Sequence, residues 1–486
     1  MNKCCEHFMD DTNRLYIGWS CQDITPRVPV QLAGQFHERI TETVRDPLMA
    51  TILAIETRDK NENKIDEAVM ISCDLVAVDK EILDRLKVKV GRAVNGLDRD
   101  KILINATHIH TGPGLSGWNF KKREGVTTPE EYAEFLLEKL TEGVKEAWEN
   151  RKRGGISSEL GFAVLGHNRM ILYSDGSAQM YGDSNCADFE TVIGPSDHGV
   201  EMLFCWDENK KLTGIVINAA VTAQIVENEE YLTADIWGEA RRLLKEKYSE
   251  DLFILPQSSS AGDQSPRDLV RRNRAEPDMR KIEGVYEAAK RILNAVDYVY
   301  ESAAGKIESN AVLKHHIETV SLPVRKVGRI EAEHAAKEYN RLLADYNIEN
   351  ENFMGDDRLS FFDKYKMFVQ KGIMKRFEYQ QKSQLLDVEL HCIRLGKIAF
   401  ATNPFELYLE YGWKMKARSK AEQTFVIQLS CGSAGYLPTA RAISAEGYSA
   451  VTASGSIGSE GGNLLVEHTV KAINRMMEAD PAGTTG

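Results

Sequence analysis

Lys101-Ile-Leu-Ile-Asn-Ala-Thr-His108-Ile-His110-Thr-Gly-Pro-Gly114 is the stretch on which the reading of this chain turns. An apolar, partly β-branched run that stops at Gly112-Pro113-Gly114 reads as a short strand leaving its sheet. Side chains at i and i+2 share one face of a strand, so the pattern places His108 and His110 together at the strand's C-terminal edge. Two imidazoles so presented suit a metal or acyl-transfer site. They equally suit hydrogen-bonded loop residues, and the motif alone does not separate the two.

The sequence around this stretch has α/β character. Residues 68–74, Ala-Val-Met-Ile-Ser-Cys-Asp, form the nearly continuous apolar run of a strand covered on both faces. A helix over residues 79–95 sets Ile82, Leu83, Leu86, Val90 and Val94 at helical spacing. Thr128-Pro129-Glu130-Glu131 supplies a cap, a proline at the first helical position and a glutamate three residues after the cap, before an apolar stripe from Tyr132 to Trp148. Further strands are expected at 15–26, 50–57, 160–165, 214–220, 252–255, 311–320, 386–394, 397–402 and 425–429. Helices are expected from 235, from 404 to 418 and over 463–478, with cleft-facing loops at 174–199. Residues 276–382 read as mainly helical and charged, with a polar break at 349–357 and no chemistry of their own. Alternating strands and helices without a repeat or linker predict an α/β fold of mixed β-sheets covered by helices. The expectation is a single large catalytic body over residues 1–486, with its site at strand C-terminal ends.

Composition excludes several classes of function. The 486 residues carry a formal net charge of -12, and no Lys/Arg stripe with interleaved aromatics marks a nucleic-acid surface. No apolar run approaches a membrane span, and the first residues lack a signal-peptide core, so a cytoplasmic protein without membrane insertion is expected. The eight cysteines (4, 5, 21, 73, 186, 205, 392 and 431) form no C-x-x-C pair. They suit reduced thiols rather than a disulfide framework, and Cys4-Cys5 reads as incidental.

Four strand ends carry similar polar punctuation: Thr107-His108-Ile-His110, Gly262-Asp263-Gln-Ser265-Pro266, Asn403-Pro404-Phe-Glu406 and Gly435-Tyr436-Leu-Pro438. Imidazole, hydroxyl, carboxylate and phenol together make the inventory of a hydrolytic site. Each also has a plainer reading. Ser265 before proline is turn chemistry, Glu406 suits the first turn of a helix, Tyr436 suits packing, and Arg169 suits an ion pair with Asp197.

Taken together and in this order, these motifs resemble the neutral/alkaline, non-lysosomal ceramidase family. The resemblance covers most of the chain and includes Asp23-Ile-Thr-Pro26, Asn168-Arg169, Asp197 and Thr-Ala-Asp235. It implies a zinc ion held by His108, Glu406 and Tyr436, a reactive hydroxyl at Ser265, and His110 and Arg169 as polarising or orienting groups. The family's second histidine ligand falls fourteen residues before Asp235, at Val221. Valine cannot bind a metal. A neighbour (Gln224, Glu227, Asp74 or His37) substitutes, or three protein ligands suffice, or zinc has been lost; an oxygen-richer set would also admit manganese or magnesium. The function expected is a metal-dependent hydrolase of an amide or ester bond in a small soluble substrate. The alternative is a small-molecule binding or sensing protein that keeps the fold without catalysis.

Overall fold

A computed structural model describes residues 13–115, 122–271, 277–349, 353–356 and 358–478. Cys4, Cys5 and part of the predicted break at 349–357 lie outside them. An eight-stranded mixed sheet runs in the order Phe253–Ser258, Leu212–Ala219, Gly199–Asp207, Lys152–Phe162, Asn13–Asp23, Met49–Asp59, Lys64–Cys73, Ile102–Ala106. A second sheet orders Leu313–Pro323, Leu385–Leu395, Ile398–Thr402 and Gln423–Ile427. The fold is α/β with mixed sheets and covering helices, as expected.

Parallel pairing occurs in the two sheets at three places: Lys64–Cys73 with Ile102–Ala106, Leu212–Ala219 with Phe253–Ser258, and Ile398–Thr402 with Gln423–Ile427. Each pair brings two C-terminal strand ends side by side, and the loops that leave them hold the motif residues. The sheets meet at these ends. Ala106 N–H donates to Leu429 O at 3.3 Å, Cys431 N–H to Ile104 O at 2.8 Å, Gln428 N–H to Ser258 O at 3.1 Å, and the Asn218 amide to Val426 O at 2.9 Å. One apolar core accordingly contains Ile52, Ile71 and Ile215 from the first sheet and Phe400 and Phe425 from the second.

The helix Pro129–Glu149 begins at the capping box read from the sequence, with Thr128 and Glu131 bonded reciprocally. Several expectations need correction. The strand placed at 160–165 is Lys152–Phe162. Its Lys-Arg-Gly-Gly opening reads as polar, yet a side chain at Gly154 would meet the Trp206 carbonyl oxygen at 2.4 Å, so glycine there permits close strand pairing. The 174–199 stretch is not all loop, since Ala178–Met180 and Phe189–Val192 flank Met170–Tyr173 in a three-stranded sheet. The helix expected from 404 starts at Leu409, because Glu406–Leu407 pairs in parallel with Tyr436–Leu437. Among the described residues no helix is long and apolar enough to cross a membrane.

Candidate functional site

The strand that opens the site ends at Ala106, before either histidine. Strand alternation therefore does not bring His108 and His110 together. The chain turns at His108, which adopts a φ of 62°, with its N–H bonded to Leu75 O at 2.9 Å. That turn sets the two imidazoles 5.1 Å apart, ring centre to ring centre. The expected convergence is present, produced by a left-handed residue rather than by pleating.

A closed circuit of polar contacts runs through the predicted residues. His108 Nε2 lies 3.4 Å from Glu406 Oε2, Glu406 accepts from the Tyr436 hydroxyl, and Arg169 donates to that hydroxyl at 3.0 Å. Arg169 also lies beside Tyr181, whose hydroxyl donates to Ser265 Oγ at 3.3 Å. Arg267 N–H donates to the same Oγ at 3.3 Å, and its guanidinium pairs with Glu227 at 2.5 Å. Glu227 Oε2 lies 3.6 Å from His110 Nδ1, which closes the circuit.

The neighbours fix which nitrogens carry protons. His108 Nδ1 lies 2.7 Å from Val76 O, and a carbonyl only accepts, so Nδ1 carries the hydrogen. Nε2, which has no hydrogen of its own in a neutral ring, faces the Glu406 carboxylate. Two acceptors face to face call for a proton or a cation between them, and with the Tyr436 oxygen beside them the donor set fits a divalent metal. His110 is oriented by Gln224, whose amide nitrogen lies 2.5 Å from His110 Nε2 while its oxygen accepts from Thr222 at 2.8 Å. Nδ1 is thus the protonated nitrogen of His110, directed toward Glu227.

Burial and charge act against each other here. Burial opposes ionisation of Glu406, yet His108, Tyr436 and Arg169 hold its pKa below the ordinary value. Burial likewise opposes the Arg169 charge, but Tyr436, Tyr181 and Glu406 raise its pKa well above the usual, so it stays cationic. Burial, with Glu406 adding to it, keeps Tyr436 a neutral phenol.

The four substitute ligands fall into different places. Gln224 and Glu227 stand at His110, where the first orients the ring and the second pairs with Arg267. Asp74 gives its carboxylate oxygens to Arg241, at 2.6 and 3.0 Å, and one of them also accepts from Met49 N–H. His37 is exposed. Val221 is packed in the main core, its N–H on Ala219 O and its carbonyl on Ser258 Oγ.

Several site residues were missed by sequence reasoning. Arg39 is 1% exposed and donates to the carbonyls of Ala33, His110, Glu227 and Glu229, pinning the loops that carry His110 and Glu227. Burial lowers its pKa to about 10, and Glu227 and Glu230 act to keep it charged. Tyr181 and Arg267 cover Ser265, with the guanidinium 4.6 Å from the ring centre. A cleft of about 470 Å³ opens beside His108 and Glu406, lined also by Phe353, Met354, Phe368, Lys371 and Lys375. These last five come from the stretch read as having no chemistry. No sequence pattern could have identified them, because a turn such as Phe353-Met354 or a face of the helix Phe361–Lys382 gains this role only by where it docks.

The chain is similar in structure to neutral ceramidase from Pseudomonas aeruginosa, with a TM-score of 0.69 and 14% identity over 97% of this chain and 76% of that one. A ceramidase complexed with C2 gives a TM-score of 0.69 at 13% identity, covering 97% of this chain and 77% of that one. No protein-family model and no curated protein matches the sequence. At this identity the likeness establishes the fold alone.

Proposed function

We propose that this chain is a metal-dependent hydrolase of an amide or ester bond in a small soluble substrate. The observation that carries the proposal is His108 Nε2 facing Glu406 Oε2 at 3.4 Å while Nδ1 is held by Val76 O, with the Tyr436 hydroxyl on the same carboxylate. His108, Glu406 and Tyr436 would hold zinc, the metal their mixed nitrogen and oxygen donors suit. When bound, zinc supplies a Lewis acid for the scissile carbonyl and lowers the pKa of a water.

The chain's own groups then divide the work. Arg169, permanently charged and bonded to Gly262 O and Tyr436, would stabilise negative charge developing on the substrate oxygen. His110, held by Gln224 with its proton on Nδ1, would orient substrate beside it. Ser265 would act as acyl acceptor or orient the attacking water, and either role requires Tyr181 and Arg267 to move off its buried hydroxyl. Lys371 and Lys375 on the cleft wall favour a substrate with an anionic group, and Phe353, Met354 and Phe368 favour a short apolar segment next to it.

The test is a panel of soluble amides and esters, with and without carboxylate or phosphate groups, run alongside metal analysis. The expected result is turnover of an anionic member, with His108→Ala removing one equivalent of metal together with activity. A second reading, binding without catalysis, is favoured by Val221 at the missing ligand position and by the complete burial of Ser265. It takes over if His108→Ala binds as much metal as the parent and added zinc or manganese awakens no hydrolysis.

A further inference from the structure

Glu389, His391 and Cys431 form a second cluster, with His315 behind it, and none of the four lines the cleft. It joins the strands Leu313–Pro323 and Leu385–Leu395 to the turn after Gln423–Ile427. His391 is 0% exposed and Cys431 3%.

Hydrogen bonds fix the protons in this cluster. His315 Nδ1 lies 3.1 Å from Glu67 O, which can only accept, so that nitrogen carries hydrogen. His391 has the Glu389 carboxylate 2.8 Å from its Nε2 to balance a second proton, so of the two facing nitrogens His315 Nε2 is the bare one. It accepts from His391 Nδ1 at 2.9 Å. His391 Nε2 is left facing Glu389 Oε1 at 2.8 Å, with a Cys431 sulfur beside both. A nitrogen, an oxygen and a sulfur donor thus lie within 4.8 Å of one another.

We propose that His391 Nε2, Glu389 and Cys431 bind a thiophilic divalent cation of the zinc class, separate from the site at His108. Donors around a tetrahedral zinc stand about 3.3–3.8 Å apart, as bond lengths of about 2.0–2.3 Å require, so side-chain adjustments of under about 1 Å suffice. On binding, the cation takes the place of the proton on His391 Nε2, and the Cys431 thiol releases its own. His315 holds the ligand ring by its other nitrogen, as outer partners of metal-bound histidines do. Lys87 Nζ, 2.8 Å from Glu389 Oε1, stays on the carboxylate and keeps it oriented. The cation would brace the strand Leu385–Leu395 against the turn that goes on to Tyr436.

The test is titration of the full chain with Co2+, read by the thiolate-to-cobalt charge-transfer band in the near ultraviolet. The background Cys4→Ser, Cys5→Ser, Cys186→Ser removes the cysteines of the amino-terminal stretch and the exposed one. The expected result is a saturable band that is lost in Cys431→Ser and in His391→Gln, and kept in His108→Ala. No band in the background protein, or a band that survives Cys431→Ser, overturns the proposal. Should both cluster variants fail to fold, zinc-edge absorption of the zinc-loaded background protein decides. A sulfur neighbour at about 2.3 Å supports the site and its absence rejects it.

Discussion

Asp263 lies inside the Gly262-Asp-Gln-Ser-Pro motif, and its environment gives it a proton balance that no sequence neighbour announces. Burial pushes its carboxyl up to about 6, although Leu409 N–H and Gln264 bond to it. A folded pKa above the unfolded value means that the native state binds the extra proton. The resulting stability is full below about 4 and lost as pH rises through about 6, a swing of a few kcal/mol. Asp263→Asn should therefore destabilise the protein more at acidic pH than at pH 7, measured by denaturant unfolding at several pH values. A pH-independent difference would show that Asp263 does not titrate as described. Asp74 makes a contrasting case. Its two bonds to Arg241 assign it to holding Lys64–Cys73 against the helix Ile236–Tyr248. Asp74→Asn should cost about 3–5 kcal/mol by stranding a buried guanidinium, and leave bound metal unchanged. Metal loss with unchanged stability would return Asp74 to the ligands.

The site depends on how closely short elements approach, and Gly262 is where the Gly262-Asp-Gln-Ser-Pro turn comes up against Glu406. A methyl group there would stand 2.2 Å from the Glu406 carbonyl oxygen, backbone against backbone, so nothing flexible can yield. Gly262→Ala should push Glu406–Leu407 from its pairing with Tyr436–Leu437, at a cost of about 1–3 kcal/mol, and lower activity or ligand binding at His108 beyond what the stability loss explains. Unchanged metal affinity would show that Glu406 does not depend on this contact. The same element scale explains what was legible in the sequence. Buried strands such as 68–74 and 101–107 announce themselves because both faces are covered and most positions are apolar. Lys152–Phe162 was misplaced because its opening is polar and glycine-rich, although a neighbouring carbonyl covers it. The pairing of His108 with His110 was legible as spacing, but its cause, a left-handed turn, was not. Tyr181, Arg267, Arg39 and Lys371 were invisible because each gains its role from an element distant in sequence.

At the scale of the whole molecule, the two sheets share their support. The second sheet buries Phe400 and Phe425, 4.5 Å apart between ring centres, in the same core as Ile52 and Ile215 of the first. Its other face packs Ala399, Ala401 and Val426 against Tyr411 of the helix Leu409–Arg418 and Leu465 of the helix Ser459–Glu478. Opening the second sheet alone would expose both layers and break the bond from the Asn218 amide of the first sheet to Val426 O, 2.9 Å. The catalytic proposal demands the same unity, because His108 and Ser265 follow strands of the first sheet, while Glu406 and Tyr436 follow strands of the second. A body that opened between the sheets would lose its donor set before it lost its fold. The slowest-exchanging amides of Ile398–Thr402 and of Asn13–Asp23 should therefore converge on one opening free energy in native-state hydrogen exchange. If the second sheet opens several kcal/mol below the first, the two halves are separate folding units. The site would then need ligand or metal to hold them together, and its affinity should fall steeply in mild denaturant while the first sheet remains folded.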